Sequence, residues 1–104
     1  MKTVKEQDIQ KGILQYLRLK GVKCWKARSV GIHKADGGYI PLPALERGVA
    51  DIIGCLKGGR LLAIEVKRKG NKPTPDQQQF IDDINHLGGL GLIAYSLGDI
   101  IDKV

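Results

Sequence analysis

The chain has 104 residues, 42% of them hydrophobic, and a formal net charge of +6 from 17 basic and 11 acidic residues. This composition predicts one compact globular domain over residues 1–104 and excludes a disordered chain. The sequence offers no segment long and apolar enough to cross a bilayer, and its first residues lack the apolar run of a secretory signal. We therefore expect a cytoplasmic protein whose basic charge suits a polyanionic partner.

The first predicted element is an amphipathic helix over residues 4–19. Ile9, Ile13 and Leu17 recur at helical spacing, and Gly21 supplies a stop signal. Glu6 falls on this apolar stripe, where an acid is unusual. Either it lies in a solvated first turn and favours the positive end of the helix dipole, or it carries a carboxylate to a functional site.

A strand over residues 22–27 precedes a long segment, residues 28–48, that is punctuated by glycines and prolines. Segments of this length without secondary structure are uncommon in compact domains and are often functional. We therefore expect residues 28–48 to contact substrate or a partner subunit, with a short strand at Tyr39 and Ile40.

Two further strands, residues 51–56 and 60–67, flank Lys57-Gly58-Gly59, which predicts an antiparallel hairpin. A helix follows over residues 74–87. Thr74 suits its N-cap, and Gln77 is placed either for a capping box or to aim a polar group at an active site. These two roles for Gln77 do not exclude each other.

The last elements are a strand over residues 90–95 and a short helix over residues 97–103, capped by Ser96. A strand–helix–strand order requires a parallel crossover beside the antiparallel hairpin. The predicted fold class is therefore α/β, with a small mixed β-sheet flanked by helices.

The cysteines and histidines show no ligand spacing. Cys24 and Cys55 form no Cys-x-x-Cys motif, so we expect two buried, reduced thiols. His33 and His86 lack partners at any recognisable spacing, and we expect both to be non-catalytic.

The most informative residues are Asp51, Glu65 and Lys67, which lie in or beside apolar, β-branched stretches. A carboxylate in a buried strand must be paired, hydrogen-bonded or bound to a metal. Residues two apart in a strand share a face, so Glu65 and Lys67 point the same way. Two carboxylates and a lysine at one point suit a Mg²⁺ or Mn²⁺ site for phosphodiester hydrolysis.

The hairpin turn decides whether Asp51 joins that face. A two-residue Gly58-Gly59 turn would place Asp51 opposite Val66, on the wrong face. A three-residue turn places it opposite Glu65, with Cβ atoms roughly 5 Å apart. The metal hypothesis therefore predicts a three-residue turn, with a glycine in the left-handed conformation, or a bulge.

Basic residues surround the acid pair in the sequence and suit a phosphate backbone held over a metal. An ordinary solvated surface would also explain them. The candidate DNA-binding residues are Arg28, Lys34, Arg47, Arg68, Lys69 and Lys72.

Together these features resemble the VRR-NUC family of the PD-(D/E)xK, or restriction endonuclease-like, superfamily. The matching motifs are Gly-Val-Ala-Asp from Gly48, Leu-Ala-Ile-Glu-Val-Lys ending at Lys67, Thr-Pro-Asp-Gln from Thr74, and the apolar strand after Gly89. The family pattern often has proline before the aspartate, where this chain has Ala50.

The resemblance implies an αβββαβ core and a metal-dependent DNA endonuclease specific for branched DNA such as Holliday junctions. It implies an active centre of Glu6, Asp51, Glu65 and Lys67, with Gln77 as an accessory. The implied Mg²⁺ or Mn²⁺ ligands are Asp51, Glu65 and the Val66 backbone carbonyl, with Glu6 as a further candidate. Small stand-alone members, common in phage, are homodimers, which implies the same for this chain and a bacterial or phage source.

Two other functions share these features. One is a catalytically silent nucleic-acid-binding module of the same fold, which an intact acid–lysine set argues against. The other is a protein-interaction domain with a structural Glu65–Lys67 pair. A fold can host several functions, so the site must decide between them.

Overall fold

The computed structural model describes residues 4–27, 32–40 and 47–104. The described elements are α1 (Glu6–Leu19), β1 (Lys23–Lys26), β2 (Ile32–His33), β3 (Tyr39–Ile40), β4 (Ile52–Cys55), β5 (Leu61–Val66), α2 (Pro75–His86), β6 (Leu90–Ala94) and α3 (Gly98–Ile101). The strand predicted at Tyr39–Ile40 is β3, which pairs with β2.

A four-stranded mixed sheet in the order β1-β4-β5-β6 carries the fold. β1, β4 and β5 pair antiparallel, whereas β5 and β6 pair parallel across α2. This is the predicted αβββαβ core and confirms the fold class. β2 and β3 form a separate two-stranded sheet inserted between β1 and β4.

Apolar side chains pack on both faces of the sheet. Leu62, Ile64 and Val66 of β5 are buried on one face in a cluster that includes residues of α1 and α3. Ala63 points the other way and packs with Ile81 of α2 in a smaller cluster. This alternation along β5 follows from the two-residue period of a strand.

The β4–β5 hairpin has the predicted three-residue turn. Leu56 N–H donates to the Arg60 carbonyl at 2.8 Å, so Lys57, Gly58 and Gly59 lie between the paired residues. Gly58 and Gly59 have φ angles of 85° and 82°, a left-handed conformation that costs other residues roughly 1–2 kcal/mol.

The first turn of α2 is fixed by the predicted capping box. Gln77 N–H donates to the Thr74 hydroxyl at 3.2 Å, and Thr74 N–H donates to Gln77 Oε1 at 2.9 Å. The predicted Ser96 cap of the last helix is wrong, because α3 begins at Gly98 and no side chain caps it. Instead, Asp99 Oδ2 accepts from the Tyr95 and Ser96 N–H groups at 2.8 and 3.2 Å.

The two thiols differ in environment. Cys24 is buried, and burial raises the pKa of its thiol, as expected for an inert core cysteine. Cys55, predicted to be buried, is exposed because it is the last residue of β4 before the turn. Both are free.

Within the described ranges, no helix has the length and apolar character needed to cross a membrane.

Candidate active site

The candidate residues gather at one end of the sheet, where α1 begins, β4 starts and β5 ends. Ala27 N–H, just past β1, donates to the Asp51 carbonyl at 2.8 Å. Arg68 N–H, just past β5, donates to Glu6 Oε1 of α1 at 3.4 Å. The first turn of α2 lies at the same end, where Gly48, three residues before Asp51, packs against the Asp76 carbonyl. The fold thus joins segments far apart in the chain.

Asp51 and Glu65 are cross-strand neighbours on the α2 face. The register pairs Ile52 with Ile64, so Asp51, one residue earlier, lies opposite Glu65. The Leu56–Arg60 pair is hydrogen-bonded, and alternation along the ladder makes Asp51–Glu65 a non-hydrogen-bonded pair. Side chains approach more closely in such pairs, so the two carboxylates face each other.

Glu65 is a buried acid with an incomplete set of partners. Its side chain is 2% exposed, and its Oε2 has no hydrogen-bond partner among the described residues. Lys67 Nζ lies 3.7 Å from Glu65 Oε1 in an ion pair, and the Lys67 side chain is 13% exposed. Burial, and then repulsion from Asp51, raise the pKa of Glu65 to about 8, which the Lys67 charge only partly opposes.

Asp51 is oriented by the backbone of β5. Its Oδ2 accepts a hydrogen bond from Val66 N–H at 2.9 Å. If β4 began before Ile52, a backbone carbonyl of that strand would accept this bond instead. The N–H and C=O of one strand residue project from the same edge. The Val66 carbonyl therefore points to the side of β5 on which Asp51 lies. The predicted role of this carbonyl in metal binding requires that direction.

Glu6 accepts a hydrogen bond from the Arg68 backbone, just past the end of β5. In the described ranges, no three Asp, Glu, His or Cys side chains are close enough together to bind one metal ion. The arrangement therefore brings together two carboxylates and leaves Glu6 out of their cluster. A role for Glu6 in metal binding stays a prediction.

Only the oxygen of the Gln77 side-chain amide has a hydrogen-bond partner among the described residues. Its Oε1 accepts from Thr74 N–H in the capping box. Its Nε2 makes no hydrogen bond to a described residue, and the side chain is half-buried. The capping role is confirmed, and a role for the amide N–H groups in an active site stays a prediction.

The packing of two residues in this region could not be predicted from motifs. Gly48 has a φ of +75°, and a Cβ placed there would lie 2.3 Å from the Asp76 carbonyl oxygen. The segment before Asp51 thus lies directly against the first turn of α2. Gln10, one helical turn after Glu6, is 7% exposed, and its Oε1 has no partner among the described residues. The sequence feature that could have identified Gln10 is its position on the same helical stripe as Glu6.

The candidate DNA-binding residues lie on the surface where they are described. Lys34, Arg47, Arg68, Lys69 and Lys72 are all exposed. Arg68 and Lys69 follow β5 directly, next to Lys67, whereas Lys34 lies in the turn between β2 and β3. Arg28 lies outside the described residues, as do the other residues of 28–31 and 41–46.

The donor set fits a hard divalent cation. Two facing carboxylates and an orphaned, buried Glu65 Oε2 are an unfavourable arrangement for the chain by itself. Oxygen ligands of this kind are those that Mg²⁺ and Mn²⁺ prefer. The residues present therefore suit the implied metal.

No protein-family model matches the chain, and no curated protein matches its sequence significantly. Its structure, however, is similar to solved structures. One, described as a VRR_NUC domain, has a TM-score of 0.66 and 20% identity over 94% of this chain and 95% of its own. Another, a VRR_NUC domain protein, has a TM-score of 0.60 and 21% identity over 97% of this chain and 85% of its own.

The chain has the VRR_NUC fold. This agrees with the sequence resemblance, since both alignments cover nearly all of the chain. At 20% and 21% identity the likeness establishes the fold. The fold alone does not fix the function, which depends on the chemistry of Asp51, Glu65 and Lys67.

Proposed function

We propose that the chain is a VRR-NUC family nuclease, a divalent-metal-dependent endonuclease that hydrolyses DNA phosphodiester bonds. One observation carries the proposal: Asp51 lies opposite a buried Glu65, and Lys67 pairs with Glu65 on the same face. A purely structural ion pair would not need a second carboxylate facing it. The fold likeness supports the same family.

Mg²⁺ or Mn²⁺ would be held by the Asp51 and Glu65 carboxylates and the Val66 carbonyl, with Glu6 as a further candidate. A bound cation supplies Lewis-acid polarisation of the phosphate and acidifies water at neutral pH. The Val66 N–H holds Asp51 Oδ2 in place, and Oδ1 would be the oxygen that ligates the cation.

Lys67 would act on the reacting phosphate. Its ammonium is anchored by Glu65 and retains donors that Glu65 does not use. Placed beside the phosphate, it stabilises the negative charge that develops on the phosphoryl oxygens. A lysine suits this role because it is a compact charge. Gln77 would add an amide donor from the start of α2.

Branched DNA is the proposed substrate, and a homodimer the proposed assembly. Symmetric cuts in a four-way junction require two sites related by a two-fold axis, which a dimer supplies. The exposed basic residues would hold the phosphate backbone and carry no sequence information by themselves. A cytoplasmic location and a bacterial or phage source belong to the same proposal.

Cleavage assays test the activity. Labelled four-way junction, flap, nicked and linear duplex DNA are incubated with Mg²⁺, Mn²⁺ or EDTA. We expect cutting with either metal, none in EDTA, and preference for branched DNA. Lys67→Ala should lower the cleavage rate at least about 100-fold, as loss of a transition-state donor does, while the fold is kept.

The matched control is Lys23→Ala, which removes an exposed lysine at the far end of β1. It should cut like wild type. If wild type cuts none of these DNAs with either metal, and Lys67→Ala binds them equally well, the chain is a silent nucleic-acid-binding module instead.

A further inference from the structure

A groove lies on the α1 side of the sheet, next to the segment that follows Lys67. A cavity of about 750 Å³ lies between α1, the segment after β5 and the segment after β6. It adjoins a second cavity of about 330 Å³, and the two share Lys69 and Tyr95. Cavities of this size hold a ligand as large as a nucleotide.

The groove begins where the active site ends. Lys67 and Arg68 are consecutive residues just past the end of β5. Lys67 points to Glu65, and Arg68 lines the larger cavity. A DNA strand bound over the acid pair would therefore need to cross only the backbone at Lys67 and Arg68 to enter the groove.

Three basic side chains and one acidic side chain, Asp8, line the two cavities. Arg68 and Lys69 line the larger cavity, and Lys69 and Lys72 line the smaller one. None of these three side chains forms an ion pair with a described residue. Unneutralised cations in a row match successive phosphates of one nucleic-acid strand.

The wall of the larger cavity suits a base. Tyr95 is 37% exposed, and the apolar side chains of Ile9 and Leu97 line the same cavity. The turn that carries Tyr95 is held by the two N–H groups that donate to Asp99, so the ring is presented from a fixed backbone. Asp8 and Ser96 add polar atoms that can bond to the edge of a base.

We propose that this groove binds an unpaired DNA strand that leaves the active site, with one base stacked on Tyr95 and phosphates on Arg68, Lys69 and Lys72. A duplex cannot place a base in the cavity, whereas the unpaired arm of a flap or an opened junction can. This rests on the proposed function and names the feature of branched DNA that the chain recognises.

Binding is measured without metal, so that it does not depend on catalysis. Fluorescein-labelled hexathymidylate and an abasic hexamer of equal charge are titrated in EDTA by anisotropy. Wild type should prefer the hexathymidylate by about 5- to 100-fold, the range of one base–aromatic stack. Tyr95→Ala should lose the preference and Tyr95→Phe should keep it.

A second variant separates charge from stacking. Lys69→Ala should weaken the binding of both oligonucleotides equally. The slope of log affinity against log salt concentration should become shallower by about 0.7, whereas Lys23→Ala should change neither the affinity nor this slope. The inference is overturned if wild type binds both hexamers equally, or if Tyr95→Ala keeps the preference. Failure of all cleavage assays would overturn the nuclease proposal and leave these binding results intact.

Discussion

Asp51 lies opposite Glu65 in a non-hydrogen-bonded cross-strand pair at the end of the sheet. Each carboxylate has a neighbour that explains part of its position: Val66 N–H bonds to Asp51, and Lys67 pairs with Glu65. Neither contact removes the repulsion between the acids, which contributes to the raised pKa of Glu65. The chain therefore keeps an unfavourable pair that a cation between the carboxylates would relieve.

The facing geometry can be tested by a disulfide. In a Cys55→Ser background, Asp51→Cys with Glu65→Cys should oxidise to a disulfide, because facing residues come within bonding reach. Closing this loop of about 15 residues should stabilise the protein by up to about 3 kcal/mol. Thiol titration and urea unfolding, with and without reductant, measure both effects.

Asp51→Cys with Val66→Cys is the matched control for that experiment. These residues would be partners under a two-residue turn, but in the observed register Val66 points to the opposite face. This variant should stay reduced. Oxidation of the control in place of the test pair would show that the register is wrong.

The metal-free protein should lose stability as pH rises from about 4.5 to about 8. The pKa of Glu65 is raised from 4.5 to about 8, so the folded chain keeps a proton that the unfolded chain releases in this range. The stabilising contribution is complete below pH 4.5 and absent above pH 8. Urea unfolding in EDTA should show a fall of up to about 1.4 kcal/mol per pH unit.

Glu65→Gln should flatten this pH dependence, because the amide does not titrate. Asp102→Asn, which alters an exposed acid at the end of α3, should keep the wild-type slope. Adding Mn²⁺ to wild type should stabilise it more at pH 8 than at pH 5, since the cation binds the ionised carboxylates. An unchanged slope in Glu65→Gln would assign the pH dependence to other groups.

The sequence predicted those parts of the site that depend on short-range rules. Turn length and strand alternation place Asp51 opposite Glu65, and the Thr-Pro-x-Gln signature sets the start of α2. Both rules act within a few residues, so no tertiary information is needed. The same holds for the apolar stripe of α1, whose Ile13 and Leu17 are fully buried.

The short-range rules of turn length and periodicity did not predict contacts between residues far apart in the chain. The contact between Glu6 and the Arg68 backbone joins residues 62 positions apart, and the approach of Gly48 to α2 depends on how two segments dock. The exposure of Cys55 is also a matter of where the sheet ends. Periodicity shows which face a residue takes and says nothing of what covers it.

Gly48→Ala should be much more destabilising than other changes at left-handed glycines. The new Cβ would lie 2.3 Å from the Asp76 carbonyl oxygen, so the segment before Asp51 must move away from α2. We expect a loss of about 3 kcal/mol or more in the free energy of unfolding, with weaker Mn²⁺ binding by calorimetry.

Gly70→Ala is the control for backbone strain alone. Gly70 has a φ of +93°, and a Cβ there would meet no atom within 4 Å. Gly70→Ala should lower the free energy of unfolding by only about 1–2 kcal/mol and leave Mn²⁺ binding unchanged. Equal losses in the two alanine variants would mean that contact with α2 does not position Asp51.

Gln77→Glu should separate the two roles of Gln77. Glutamate at this position still closes a capping box with Thr74, so the free energy of unfolding should change by less than about 0.5 kcal/mol. It cannot donate a hydrogen bond, and it adds a negative charge beside the phosphate, so the cleavage rate should fall at least about 10-fold. Thr74→Ala should show the reverse, losing about 1 kcal/mol of stability while cleavage persists. Full activity of Gln77→Glu would leave Gln77 with the capping role alone.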